Sequence, residues 1–241
     1  VHAMASQTEV VENLERHRVS AIPVVDFEGR LIGLIRHQAL VAAVEQEASA
    51  DIQTMVGASR DERALSPVSF AVRKRLPWLQ VNLLTAFLAS FVVGMFEDTI
   101  ARFTALAVLL PVVAGQSGNT GAQALAVTMR GLALREIRVR QALRVAVKES
   151  LVGAINGVAV AVVTALAVYL WSRSPGLAAV IGVAMVLSML IAGLAGAVIP
   201  VLLTSLGQDP AQASSIVLTT ITDVVGFLSF LGLATLAAGV L

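Results

Sequence analysis

The chain of 241 residues has no cysteine, one tyrosine, two tryptophans and three histidines. Without cysteine there is no disulfide framework, no thiolate metal site and no thiol nucleophile. His2, His17 and His37 all lie near the start, so the rest of the chain has no imidazole for a metal or a proton relay. Charge is scarce too, at 14% of residues, where soluble domains run at roughly a quarter. A net charge of +1 gives nucleic acid no electrostatic footprint. The HExxH, GxSxG and P-loop patterns are missing, so no enzymatic activity is expected.

What is present is apolar. Hydrophobic residues make up 57% of the chain and the mean hydropathy is +0.84. The charges are unevenly placed: residues 1–75 carry nine Lys/Arg and ten Asp/Glu, and residues 76–241 carry the other 14. This division predicts a soluble-looking head on a membrane-embedded body. In the head, residues 1–20 are polar and helical in pattern, with no apolar stretch of the signal-peptide kind. AIPVVD (21–26), FEGR (27–30) and LIGLI (31–35) read as strand, turn and strand. Residues 37–48 carry a helical apolar period. Residues 49–76 form a connecting region that ends in the basic collar Arg73, Lys74 and Arg75.

The body, residues 77–241, reads as all-α with five spans, at about 77–96, 99–134, 149–171, 177–206 and 210–240. The second is expected to be interrupted near 114–123, where the glycines of AGQSGNTGAQ loosen the helix. Asp209 and Pro210 have the residue types of an N-cap and a first helical position. Six basic residues lie in 130–148, so positive-inside logic puts that connection and the head in the cytosol and the C-terminus outside. Splitting 99–134 into two short spans would export this most basic loop, and is rejected.

Polar groups in the body mark candidate chemistry. Asp223 is the one ionisable residue far from a span end. A carboxylate at bilayer depth costs ~3 kcal/mol and faces a bundle interior or a water-filled path. Ser215, Thr219, Thr222 and Asp223 share a helical face, although hydroxyls on helices more often bond their own backbone. Gly115 to Gln123 adds three glycines, three amides and two hydroxyls. Its alternative role is a glycine-mediated packing surface. Gly153 and Gly157 form a GxxxG pair that reads as helix contact, with Asn156 placed to bond across it. The body thus offers oxygen ligands only, which suits a hard cation held partly through its waters. The residues alone support a channel or carrier for a divalent cation, without choosing the metal.

RLPWLQVNLLTAF, LAVLLPVVAGQSGNTGAQALAVTMRGLAL and DPAQASSIVLTTITDVVGF together resemble the MgtE family of magnesium channels and transporters. AIPVVDFEGRLIGLIRHQAL resembles the second half of a CBS domain, which precedes the membrane part in that family. The resemblance covers about residues 10–240. It implies a homodimer in the cell membrane, five spans per chain, a pore along the dimer axis, and Mg2+ as transported ion and regulator. It assigns ion coordination to Asp223, with Gly115, Gly118 and Asn119 supplying oxygens and Thr219 and Ser215 facing the ion. It likens Glu45, Glu47 and Asp51 to cytosolic Mg2+ sensors, and residues 59–76 to a plug helix at the cytosolic mouth. Two positions depart from the family pattern. Ala122 replaces a polar residue, and Ile216 stands where a proline is common. The expected function is Mg2+ transport. The alternatives are broader Co2+ and Mn2+ transport or ion-coupled exchange, and, in another class, a membrane-anchored sensor that transports nothing.

Overall fold

The computed structural model describes residues 1–5, 7–17, 19–36, 50, 53–134, 136–137, 139–208 and 210–239. They divide into two compact units, one mostly Val1–Thr54 and the other mostly Glu62–Leu241.

In the first unit, helix α1 (Gln7–His17) packs Val10 and Leu14 on Ile22 of strand β1 (Ala21–Val25). Strand β2 (Leu31–Arg36) pairs antiparallel with β1, with a register shift at Val24/Val25. The turn is built by Asp26, whose Oδ1 accepts the backbone N–H groups of Glu28 and Arg30, each at 2.9 Å. Gly29 supplies the left-handed backbone the turn requires, with φ 78°. The helical period at 37–48 lies outside the described residues.

The second unit is helical. Its elements are α2 (Val68–Gly94), a short α3 (Glu97–Arg102), α4 (Ala105–Ala133), a 3-10 turn at Val139–Gln141, α5 (Ala142–Ser172), α6 (Pro175–Ser205) and α7 (Pro210–Leu236). Among the described residues four helices are long and apolar enough to cross a membrane: α2, α5, α6 and, from Ser214, α7. Mostly helical architecture and multi-pass membrane character follow from these together. Before α2, residues 56–67 form turns, so the segment likened to a plug helix is helical only from Val68 and runs directly into α2. Two contacts tie the turns to α2. The Trp78 indole occupies the space a side chain on Gly57 would need. Glu62, 6% exposed, accepts a hydrogen bond from Arg75 Nε at 3.0 Å.

The central element is α6, which touches α4, α5 and α7 and buries Ile181, Ala184, Met185 and Ala192 completely. Its start is written in sequence: Ser174 Oγ accepts the Leu177 N–H at 3.1 Å and Pro175 opens the helix. With Arg173 left-handed (φ 57°), Arg173 and Ser174 alone join α5 to α6. The seams are made of glycine. A Cβ on Gly153 would stand 2.4 Å from the Met189 carbonyl oxygen, and one on Gly196 would stand 2.4 Å from that of Gly121. The GxxxG pair is therefore a packing surface, as its spacing implies.

The expected interruption at 114–123 does not occur. α4 is one continuous helix of 29 residues. Glycine permits a helix to break without requiring it, and here the missing side chain serves contact. Gly121 takes Leu218 and Thr222 of α7 on one side and the backbone of Gly196 on the other.

Candidate functional site

The relation of α4 to α7 fixes the site. Leu218 and Thr222 lie against Gly121, whereas Gly226 lies against Ser117 and Val113. As numbers fall on α4 they rise on α7, so the two helices run antiparallel. The same register brings Asp223 level with Gly118 and Asn119, which are a hundred residues away in sequence.

The two faces of α4 differ. Its inner face buries Val113, Ser117, Thr120, Gly121, Ala124 and Thr128. The three hydroxyls there bond their own helix: Ser117 donates to the Val113 carbonyl at 2.9 Å, Thr120 to Gln116 at 2.9 Å and Thr128 to Ala124 at 2.8 Å. They are polar yet spent. Gly115 and Asn119 are exposed on the outer side, with Gly118 half-buried. The Asn119 carboxamide has no hydrogen-bond partner among the described residues.

On α7, Asp223 is half-buried and has neither a hydrogen-bond nor an ion-pair partner among the described residues. Ser215 is half-buried and lies two turns before it, and Thr219 is exposed and lies one turn before it. Thr219 donates to the Ser215 carbonyl at 2.9 Å, which leaves its oxygen lone pairs as acceptors. Thr222 separates from this set: it is 2% exposed, points at Gly121 and donates to the Thr219 carbonyl at 3.0 Å. Ile216, where a proline was expected from the family pattern, is helical and buried. Ala122 is exposed on α4.

The available donors are one carboxylate, one carboxamide, hydroxyl oxygens and any carbonyl the glycines leave approachable. No cluster of three or more His, Cys, Asp or Glu occurs among the described residues. So sparse an anionic set does not strip a strongly hydrated dication; it can hold one through its waters. Glu45, Glu47 and Asp51, likened to sensor carboxylates, lie outside the described residues, as does Asp209.

Sequence reasoning missed two features. Glu149 reads as a span-end residue, but α5 starts seven residues earlier and Glu149 is 4% exposed, 2.5 Å from Lys148 Nζ. Asn156 does not bond across the α5–α6 seam. It is exposed and lines a cleft of about 570 Å³ with Gln116, Asn119 and Gln123 of α4. The concentration of amides in GQSGNTGAQ was the available signal for such a cleft.

The fold and these groups define a multi-pass helical membrane protein with an ungreased polar belt of oxygen and amide donors at mid-helix. Residues 110–233 match the family model described as MgtE, divalent cation transporter, and residues 1–46 match that of the CBS domain. The chain belongs to the MgtE family. It is 35% identical over 239 residues to the magnesium transporter MgtE of Thermus thermophilus, covering 98% of this chain and 53% of the relative. It is 31% identical over 233 residues to the magnesium transporter MgtE of Bacillus subtilis, covering 97% and 52%. The chain spans about half the length of these curated relatives. Both carry transporter names and neither an enzyme name.

Proposed function

We propose that this chain carries Mg2+ across the membrane, with the hydrated ion attracted by Asp223 and held at the level of Gly118 and Asn119. The observation that carries the reading is the half-buried, unpartnered Asp223 carboxylate brought level with the outer face of α4 by the α4–α7 register. An uncompensated charge in an apolar helix bundle is costly unless it faces water or an ion. Neutral oxygens and a single carboxylate suit conduction, because binding must be weak enough for the ion to leave. Gly115 extends the lining by about one turn on one side, and Thr219 and Ser215 by about one and two turns on the other.

In this reading α4 is the fifth span. Its 29 residues give a length of about 44 Å at 1.5 Å per residue, enough to cross. The basic connection between α4 and α5 faces the cytosol and the C-terminus faces outward. Two copies pair so that their Asp223 carboxylates share one path, which doubles the negative charge facing the ion. Mg2+ is also a regulator here, sensed by Glu45, Glu47 and Asp51. A broader divalent transporter is the second reading, favoured by the description attached to the family model. Co2+ and Mn2+ competition separates the two.

The test is Mg2+ uptake into liposomes by wild type and Asp223→Ala. Loss of one charge-assisted contact of ~1.5–3 kcal/mol should lower uptake by about tenfold or more. Equal uptake would remove Asp223 from the path and the proposal with it.

A further inference from the structure

α4 and α5 both pack on α6 but touch each other little, and the gap between them is the cleft of about 570 Å³. Met189 of α6 contributes to its lining. Four carboxamides face it: Gln116, Asn119 and Gln123 from α4 and Asn156 from α5. None has a hydrogen-bond partner among the described residues. Asn156 sits at the middle of α5, a helix long and apolar enough to span the membrane, so the cleft lies at mid-bilayer depth. A carboxamide facing hydrocarbon without a partner costs ~2–7 kcal/mol, and four in one place cannot be left to lipid chains. Something polar fills the cleft.

We infer that this cleft is a second cation-binding vestibule, filled with water and occupied by hydrated Mg2+, in which Asn156 of α5 joins the amides of α4. The inference rests on the transport reading above and extends it to a helix that reading does not use. The chemistry selects the occupant. Carboxamide oxygens accept hydrogen bonds from the polarised waters of a dication, and their NH2 groups bond further water. With no carboxylate among the described residues that line the cleft, binding there is outer-sphere and weak, as a waiting site beside a conducting path requires. Asn119 lines the cleft and is level with Asp223 by the α4–α7 register, which makes it the proposed link between the two. A second copy of the chain laid across the amides is the competing occupant, and the experiment decides against one or the other.

The natural absence of cysteine makes the test clean. Asn156→Cys and, as a control on an exposed apolar position of the same helix, Val163→Cys (the valine is 69% exposed) are placed singly in the full chain in liposomes. Each is then treated with a charged, membrane-impermeant thiol reagent. Asn156→Cys is expected to react, and Val163→Cys is not. Mg2+ at ten times its half-protecting concentration should slow the reaction about tenfold, as occupancy of one site demands. An unreactive Asn156→Cys, or a rate indifferent to Mg2+, overturns the inference. So does a disulfide between two Asn156→Cys chains, which would place a second copy there. Asp223→Ala uptake separates the failures. If that variant loses uptake while Asn156→Cys shows no protection, only the vestibule is lost. If uptake persists, the transport reading itself falls.

Discussion

The inner and outer faces of α4 carry similar numbers of polar residues and behave oppositely. On the inner face Ser117, Thr120 and Thr128 return their protons to carbonyls of their own helix, and the surrounding contacts are apolar. On the outer side Asn119, Gln116 and Gln123 have no partner among the described residues. The lesson is that polarity in a membrane helix does not by itself mark a site; polarity without an internal partner does. The same criterion separates Thr222 from Asp223 on α7, although the two are adjacent. Thr222 is buried and bonded at 3.0 Å, whereas Asp223 is half-buried and unpaired among the described residues.

The largest effect expected from disturbing this division falls on the packed side. Gly196→Val would drive a branched side chain into the Gly121 carbonyl oxygen, 2.4 Å from where its Cβ must sit, and into the Leu125 nitrogen at 2.9 Å. Backbone cannot step aside as a flexible side chain can. A loss of about 3 kcal/mol, or a fall of roughly 10 °C in the melting point in detergent, is expected. An unchanged melting point would mean that the α4–α6 seam is looser than drawn.

A smaller and more informative effect comes from substituting the two faces in parallel. Asn119→Leu should lower Mg2+ uptake about tenfold, by removing a hydrogen bond to a charged ion's shell worth ~1.5–3 kcal/mol, and leave the melting point in place. Ser117→Ala should do neither, since its bond lies within one helix and its net worth is at most about 1 kcal/mol. If Ser117→Ala cut uptake and Asn119→Leu did not, the assignment of inner and outer faces would be reversed.

Much of the fold was legible because its signals are local. Eighteen apolar residues with few charges announce a helix able to cross a bilayer. FEGR between two apolar runs announces a turn, and the structure adds the Asp26 side chain that caps it. The continuity of α4 was not legible, because the role of Gly121 depends on α6 and α7, which approach from 75 to 101 residues away. Glu149 was hidden for a local reason: the polar residues before it disguise the first turns of α5. Asp223 stands out in the sequence as a lone carboxylate in an apolar run. Its level with Gly118 and Asn119 does not, because register is a property of the packed pair. Asn156 was expected to bond across the contact made by its two neighbouring glycines, but a GxxxG frame fixes only the glycine face and not the direction of the side chain between them.

The most direct measurement is the position of a transported ion. Mn2+ can stand in for Mg2+ and be located by its anomalous scattering in crystals of the chain. The expected result is a peak at the level of Asp223 and Asn119 between α4 and α7. It should lie well beyond the ~2.1 Å of direct ligation, with water between the metal and the carboxylate. A peak bonded directly to other side chains away from that level, with nothing beside Asp223, would contradict the proposed path.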